Sequence, residues 1–244
     1  MGRLATANVI INRAAVEVGL FASTDPVASG DETFVQMEQL LNSAGQELVE
    51  LHAWQVLQRN FKVVTTALDT GVYDLPDDFS YMIDQTGWER SNRVAMGGPL
   101  SPQDWSYLEG RDLVSESIYA SFRLSDNKFE IYPQDPVPAA LDINFMYISR
   151  NWVLESNGTT YKDQIGSGND VVLFSPIMII KFLKAKFLEA KGFDASSARL
   201  EFENMFNSRT GKDEGAPILS ASSNTRGFPY LSPYGNTSDT GFGG

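Results

Sequence analysis

Few residues of this chain have the side-chain chemistry of a catalyst. It contains one histidine, His52, and no cysteine. The absence of cysteine excludes disulfide scaffolds, thiolate metal sites, thiol nucleophiles and thiol redox chemistry. His52 lies between Leu51 and Ala53, and no local motif supplies it with a nucleophile or a carboxylate. We therefore interpret His52 as a hydrogen-bonded structural histidine.

Three aspartates, Asp74, Asp77 and Asp78, form the one tight acidic cluster of the sequence. Paired carboxylates serve acid–base chemistry or bind metal ions. Aspartate beside proline is also the ordinary composition of turns and helix caps, because its short carboxylate binds nearby amides. The spacing is not that of an EF-hand loop. We favour the structural role and predict no catalytic residue, no metal site and no cofactor.

Two further patterns point only weakly to ligands. The segment Gly166-Ser167-Gly168 precedes a predicted helix, but it lacks the Lys-Ser/Thr step of a P-loop and the third glycine of a dinucleotide site. We predict a plain loop there. Lysines cluster on the helix that follows, and glutamates close by in sequence offset their charge. We predict that this face of the helix is solvated or contacts another subunit rather than binding DNA. The lysines are Lys181, Lys184, Lys186 and Lys191.

The periodicity of apolar residues predicts which elements carry these side chains. Apolar residues recur at spacings of three and four from Phe34 to Leu51. This pattern predicts a long helix that continues through Trp54 and Leu57 toward Arg59. A shorter helix, capped by Thr6 and ended by Gly19, precedes it. The mostly apolar residues from Val171 to Ala190 predict another helix. A last helix is predicted from its cap, Asp194, to near Gly211.

The middle of the chain has the pattern of short strands. The spacing changes to about two from Phe61, and the clearest hairpin runs from Ile118 to Leu124 and returns from Phe129 to Tyr132. A further strand is predicted at Leu141–Ser149, and a short helix at Ser101–Leu108. We therefore predict an α+β fold. A helical bundle is formed by 1–60 and 165–212, a small antiparallel β-domain is inserted at 61–155, and 213–244 is an extended C-terminal tail.

Composition separates the tail from the rest. Residues 215–244 contain no lysine or glutamate and are mostly glycine, proline, serine, threonine and asparagine, with interspersed aromatic rings. Such a segment cannot build a core. It is either a plain disordered terminus or a segment whose rings fill pockets on a partner, and composition leaves both open.

Charge and length narrow the classes of protein further. The chain has 244 residues and a formal charge of −12. This charge argues against a conventional nucleic-acid-binding surface, which needs a net excess of lysine and arginine. It has no run of 18 apolar residues, and no charged-then-apolar signal pattern precedes residue 20. We expect no membrane span.

The order of elements resembles a known family. The long helix ends in Glu50-Leu51-His52-Ala53-Trp54, and a β-insertion follows Arg59-Asn60-Phe61. The next characteristic segment is Tyr73-Asp74-Leu75-Pro76-Asp77-Asp78-Phe79. A later helix rich in alanine and lysine completes the pattern, over about residues 5 to 210. Together these resemble the head-to-tail adaptor of short-tailed bacteriophages, of the tail tubular protein A type.

The resemblance implies a structural virion protein without catalytic residues, made in the host cytoplasm and located at the head–tail junction. Such adaptors form a ring of twelve copies beneath the portal protein, extend the DNA channel, and dock the tail nozzle protein and the tail fibre or adhesion proteins. DNA passes without sequence-specific binding. On this basis we expect the bundle to form the subunit interface through Phe174, Ile177, Ile180, Lys181 and Lys184. We expect Phe228, Pro229, Tyr230 and Tyr234 to dock the tail on the portal.

Two other functions remain open at this point. A carbohydrate-binding or carbohydrate-active module would stack sugars on Trp88, Trp105 and Trp152 and act through the Asp74–Asp78 cluster. Another virion neck or nozzle protein would share the structural character without forming a ring on the portal.

Overall fold

The computed structural model describes residues 4–111, 121–134 and 137–213. Four long helices make up most of the helical part. They are α1 (Ala7–Glu17), α2 (Glu32–Leu51), α4 (Pro176–Ala190) and α5 (Ser196–Asp213), and a shorter α3 (Pro102–Arg111) lies in the middle of the chain. Helix α4 packs against α1, α2 and α5, so it is the central element of the bundle.

The ends of these helices follow local chemistry. The Asp31 carboxylate accepts a hydrogen bond from the Thr33 amide at the start of α2. Helix α2 ends at Leu51 and a 3-10 turn follows at Gln55–Leu57, so the prediction of one helix continuing toward Arg59 is wrong. The Trp54 indole instead folds back and donates to the Leu48 carbonyl at 2.6 Å.

The strands form three antiparallel sheets. The central sheet contains β2 (Gln58–Val64), β9 (Asp142–Ser149), β5 (Trp88–Glu89) and β6 (Val94–Ala95) in that order, and β4 (Phe79–Met82) also pairs with β9. A second sheet has the order β3 (Val72–Asp74), β8 (Lys128–Tyr132) and β7 (Ser121–Ser125). Asp126 and Asn127 turn between β7 and β8 with positive φ, as a two-residue hairpin requires.

The third sheet was not predicted, and it belongs to the helical part. Its order is β1 (Ala5–Thr6), β12 (Val171–Val172), β10 (Val153–Leu154) and β11 (Tyr161–Lys162). Val171 and Val172 therefore extend as a strand, and α4 begins only at Pro176, where proline suits the first helical position. Two-residue strands leave almost no periodic signal in a sequence.

Buried apolar side chains form two clusters. One joins α1, α2, α4 and the small sheet around Trp54, Trp152 and Phe174. The other lies between the two larger sheets, around Phe61, Phe129 and Phe145. The fold is the predicted α+β mixture of helices and antiparallel sheets.

Candidate functional site

A groove of about 410 Å³ runs between α1 and α4 and is the candidate functional site. Apolar side chains dominate its wall, and charged groups stand at its rim. It is lined by Asn12, Arg13, Val16, Glu17, Ala22, Ile177, Ile180 and Lys181. Three of the five residues predicted at a subunit interface thus lie around one concave surface.

Exposure separates the five predicted interface residues into two kinds. Ile177 is 49% exposed, and Val16 across the groove is 58% exposed. Phe174 and Ile180 are buried in the bundle core. The Phe174 ring stacks on Trp152 at a centroid distance of 6.0 Å and meets the edge of Trp54 at 5.6 Å. The exposed apolar surface of the groove therefore comes from Ile177 and from Val16 of α1.

The lysines of α4 are paired with carboxylates of the same protein. Lys181 Nζ lies 2.6 Å from a Glu201 oxygen, and Lys184 Nζ lies 3.5 Å from a Glu17 oxygen. The same pairing lowers the pKa of Glu201, because the Lys181 ammonium donates to that carboxylate. Paired ammonium groups neutralise glutamates at the edges of the groove rather than forming a basic surface for phosphates.

Helix α1 contributes residues to the groove that the sequence did not single out, and Val16 is the exposed apolar one among them. Val9 lies outside the groove lining, but it is also exposed and lies seven residues before Val16, on the same face of the helix. An apolar pair at a spacing of seven on a short N-terminal helix is a signal that could have found this face.

The C-terminal end of α5 is fixed to the end of α2. The Asp213 carboxylate accepts a hydrogen bond from the Gln55 amide at 2.8 Å and lies 3.5 Å from His52 Nε2. The Gln55 side-chain amide donates to the Asp213 carbonyl. His52 thus takes part in a structural contact, and the chain after Asp213 starts from this point. The predicted tail anchors Phe228, Pro229, Tyr230 and Tyr234 lie outside the described residues.

The aspartates of the acidic cluster have separate structural partners. Asp74 pairs with Lys128 at 3.1 Å. Asp78 accepts hydrogen bonds from the hydroxyls of Tyr147 at 2.9 Å and Ser149 at 2.6 Å. Burial and the Asp78 carboxylate together raise the pKa of Tyr147 to about 12. Asp78 therefore holds the segment before β4 against the end of β9, and its hydrogen bonds go to partners other than those of Asp74.

The glycine-containing loop turns its amides inward. The amides of Gly166 and Ser167 both donate to one oxygen of the Asp170 carboxylate, at 2.9 and 2.8 Å. The carbonyls of Gly168 and Asp170 accept from the first amides of α1. A phosphate loop needs amides that face an external anion. These amides are already occupied by a carboxylate of the same chain.

The tryptophans do not form a sugar platform. Trp105 and Trp152 are completely buried, and only Trp88 of the three is exposed. The three-tryptophan arrangement considered for carbohydrate binding is therefore wrong. Within residues 4–111, 121–134 and 137–213, no three histidine or acidic side chains are grouped so that they could hold a metal ion, and no helix is long and apolar enough to span a membrane.

Comparison with known proteins agrees with this structural character. No curated protein matches the chain. The model of the family described as SU10 adaptor protein matches residues 5–226, which include the bundle, the β-sheets and the groove. The chain therefore belongs to the SU10 adaptor protein family, whose members are structural adaptors of phage virions.

Proposed function

We propose that this adaptor forms a ring of twelve copies beneath the portal, extends the DNA channel, and docks the tail nozzle and the tail fibre or adhesion proteins. The observation that carries the proposal is the groove between α1 and α4, where Val16 and Ile177 present apolar surface beside a buried core. Exposed apolar side chains at a concave surface are typical of protein contact sites.

A ring follows if the groove receives a different surface of the next copy. Such a heterologous contact repeats around an axis and closes when the rotation divides a full turn. The groove belongs to the bundle, whose core is separate from that of the β-domain. The bundle would therefore form the ring, and the β-domain would remain available to tail proteins.

The charge of the chain suits a channel for DNA. The formal charge is −12, and the α4 lysines near the groove are paired with glutamates. A lumen without a basic surface would hold phosphates weakly, since affinity for DNA comes mainly from lysine and arginine contacts. DNA would then pass without being retained.

The C-terminal tail is the proposed portal anchor. It begins next to the His52–Asp213 contact and carries Phe228, Pro229, Tyr230 and Tyr234. Aromatic residues are favoured anchors in protein interfaces because they bury a large area with few rotatable bonds.

The test uses the full chain and the portal protein encoded by the same phage. We expect native mass spectrometry to find twelve copies added to one portal assembly, and electron microscopy to show them as a ring. Addition of single copies, or of none, would contradict the proposal. Deletion of the residues after Gly215 should leave the fold intact and weaken portal binding, and unchanged binding would remove the tail from the proposal.

A further inference from the structure

Strand β2 forms one border of the central sheet. It pairs with β9 over its whole length, from Gln58 opposite Ile148 to Val64 opposite Asp142. No other strand in the described part of the chain pairs with it. At seven residues, β2 is also the longest strand with an unpaired side among the described elements.

The hydrogen-bond directions along β9 identify which groups of β2 point outward. The carbonyls of Asp142 and Met146 accept bonds from the other side of the sheet, from Arg90 and Ile83. The odd-numbered residues of β9 therefore face β2, as the Thr65 amide bonded to the Leu141 carbonyl also requires. It follows that the even-numbered residues of β2 turn their backbone N–H and C=O groups away from β9.

Three consecutive even positions leave this edge open. The Gln58 carbonyl accepts from the Arg59 guanidinium, and the Gln58 amide donates to Gln55. Asn60, Lys62 and Val64 are all exposed, and their outward backbone groups have no partner among the described residues. An exposed strand edge with unpaired amides and carbonyls is a template for another strand.

We propose that the Asn60–Val64 edge receives an extended segment of a tail protein, which adds to the central sheet as a further antiparallel strand. The inference rests on the proposed function, because it takes the occupant from among the proteins that the adaptor docks. Backbone hydrogen bonds at Asn60, Lys62 and Val64 supply the contact, and alternate side chains set its specificity.

The side chains of β2 define the occupant. Phe61 lies in the β-domain core and Val63 packs against it, whereas Asn60, Lys62 and Val64 lie on the outer face. Residues opposite each other in a sheet share a face, so the added segment carries apolar residues on the core side. The charged residues of β2 are Arg59 and Lys62, both basic. Lys62 Nζ lies 3.1 Å from the Asp142 carboxylate on β9 and is still 56% exposed, so an acidic residue of the segment would share this ammonium on the outer face.

Strand lengths argue against a second adaptor copy as the occupant. The other described strands with an open side, namely β1, β3, β4, β6 and β11, have two to four residues. In the five-residue strand β7, the outward amide and carbonyl of Phe122 are already bonded to Gly97 and Leu100. Pairing two β2 edges would place the copies about a two-fold axis, and a ring with a single rotation axis has no such contact.

The test is Lys62→Pro in the complete adaptor, with Lys62→Thr as the matched control. Proline removes the outward amide and blocks the edge, but it leaves the inward bonds of Phe61 and Val63 to β9 in place. Threonine removes the same charge and keeps the amide. Both variants are used to complement a phage that lacks the adaptor, and the tail proteins on purified particles are counted by mass spectrometry.

We expect Lys62→Pro particles to keep the adaptor but to lose one tail protein by about tenfold or more, and Lys62→Thr particles to keep most of it. A full set of tail proteins with Lys62→Pro overturns the inference. Loss of the adaptor ring itself would assign the edge to another copy and overturn the chosen occupant. An absence of the wild-type adaptor from particles would instead contradict the proposed function.

A second variant does not depend on tolerance of proline. The chain has no cysteine, so Asn60→Cys introduces a single reactive thiol at the edge. A short thiol-to-amine cross-linker applied to assembled particles should join position 60 to a tail protein, whereas the control Tyr107→Cys on exposed α3 should not give that product. A product joining position 60 to a second adaptor, or no product specific to position 60, overturns the inference.

Discussion

Asp213, the last residue of α5, holds its carboxylate 3.5 Å from Nε2 of His52, and the same carboxylate accepts the Gln55 amide at 2.8 Å. This contact joins residues far apart in sequence. It fixes the final turn of α5 to the segment that leads from α2 into the β-domain. The start of the C-terminal tail is therefore tied to the boundary between the two cores.

Asp213→Ala should loosen the end of α5. The substitution removes the acceptor of the Gln55 amide, and we expect a loss of about 1 kcal/mol in the free energy of unfolding. Hydrogen exchange should become faster at Gln55 and in the last turn of α5. Asn204→Ala, at an exposed position of the same helix, is the control and should leave exchange at Gln55 unchanged. Equal exchange in both variants would contradict the anchoring role.

Gly45→Ala should destabilise the bundle, because a methyl group there would overlap the Trp152 indole. Overpacking of this kind costs about 1–3 kcal/mol. Gly110→Ala is the matched control, since a methyl group on α3 meets no atom within 4 Å. The control should stabilise the protein by about 0.5–1 kcal/mol. Urea denaturation of both variants measures the difference, and a neutral Gly45→Ala would contradict this packing.

The free energy of unfolding should decrease in acid through Asp170. Burial raises the pKa of this carboxyl, but hydrogen bonds from Lys162, Gly166 and Ser167 outweigh it and hold the pKa below its ordinary value. A depressed pKa stabilises the fold above the pKa of the unfolded state, about 3.9, and that stabilisation is lost as the pH falls through the lower, folded value.

Asp170→Asn should therefore remove part of the pH dependence of stability below about pH 4. At neutral pH it should cost about 3 kcal/mol, because Lys162 loses its buried partner at 2.8 Å. Asp163→Asn, on a less buried side chain in the same loop, is the control. Denaturation midpoints measured from pH 7 to pH 3 should separate the two variants, and superimposable curves would rule out the role of Asp170.

Val16→Asp should block ring formation without unfolding the chain. The side chain is 58% exposed, so the monomer tolerates a carboxylate, but a carboxylate in a closed interface would cost about 2 kcal/mol or more. Val35→Asp, at 44% exposure on α2 and outside the groove, is the matched control. Ring formation on the portal should be lost only in Val16→Asp. Equal loss in both, or in neither, would exclude the groove as the subunit contact.

The sequence predicted the elements that have a repeating pattern. The apolar stripe of α2, the β7–β8 hairpin and strand β9 each have such a pattern, and each is present. It failed where tertiary contacts decide. Trp54 continues the helical stripe by spacing, yet its indole binds Leu48 and the chain leaves the helix.

The candidate site was only partly predictable for the same reason. Phe174 and Ile177 are both apolar residues of one segment, and nothing local indicates that the first packs on Trp152 while the second faces the groove. That difference depends on how α1 and the small sheet lie against α4. The open edge of β2 likewise depends on which strands pair, and strand order is not a local property.

The register of β2 against β9 has a consequence for how such a protein can diverge. Gln58 and Ile148 lie directly opposite each other, so the chain enters and leaves the central sheet through two neighbouring strands at the same end. The segment between them joins the bundle through this pair of strands, and Tyr81 and Ile83 also pack against the bundle core. Loops of this segment that do not touch the bundle can lengthen, shorten or be exchanged while both strands stay in place, without any rearrangement of the helices.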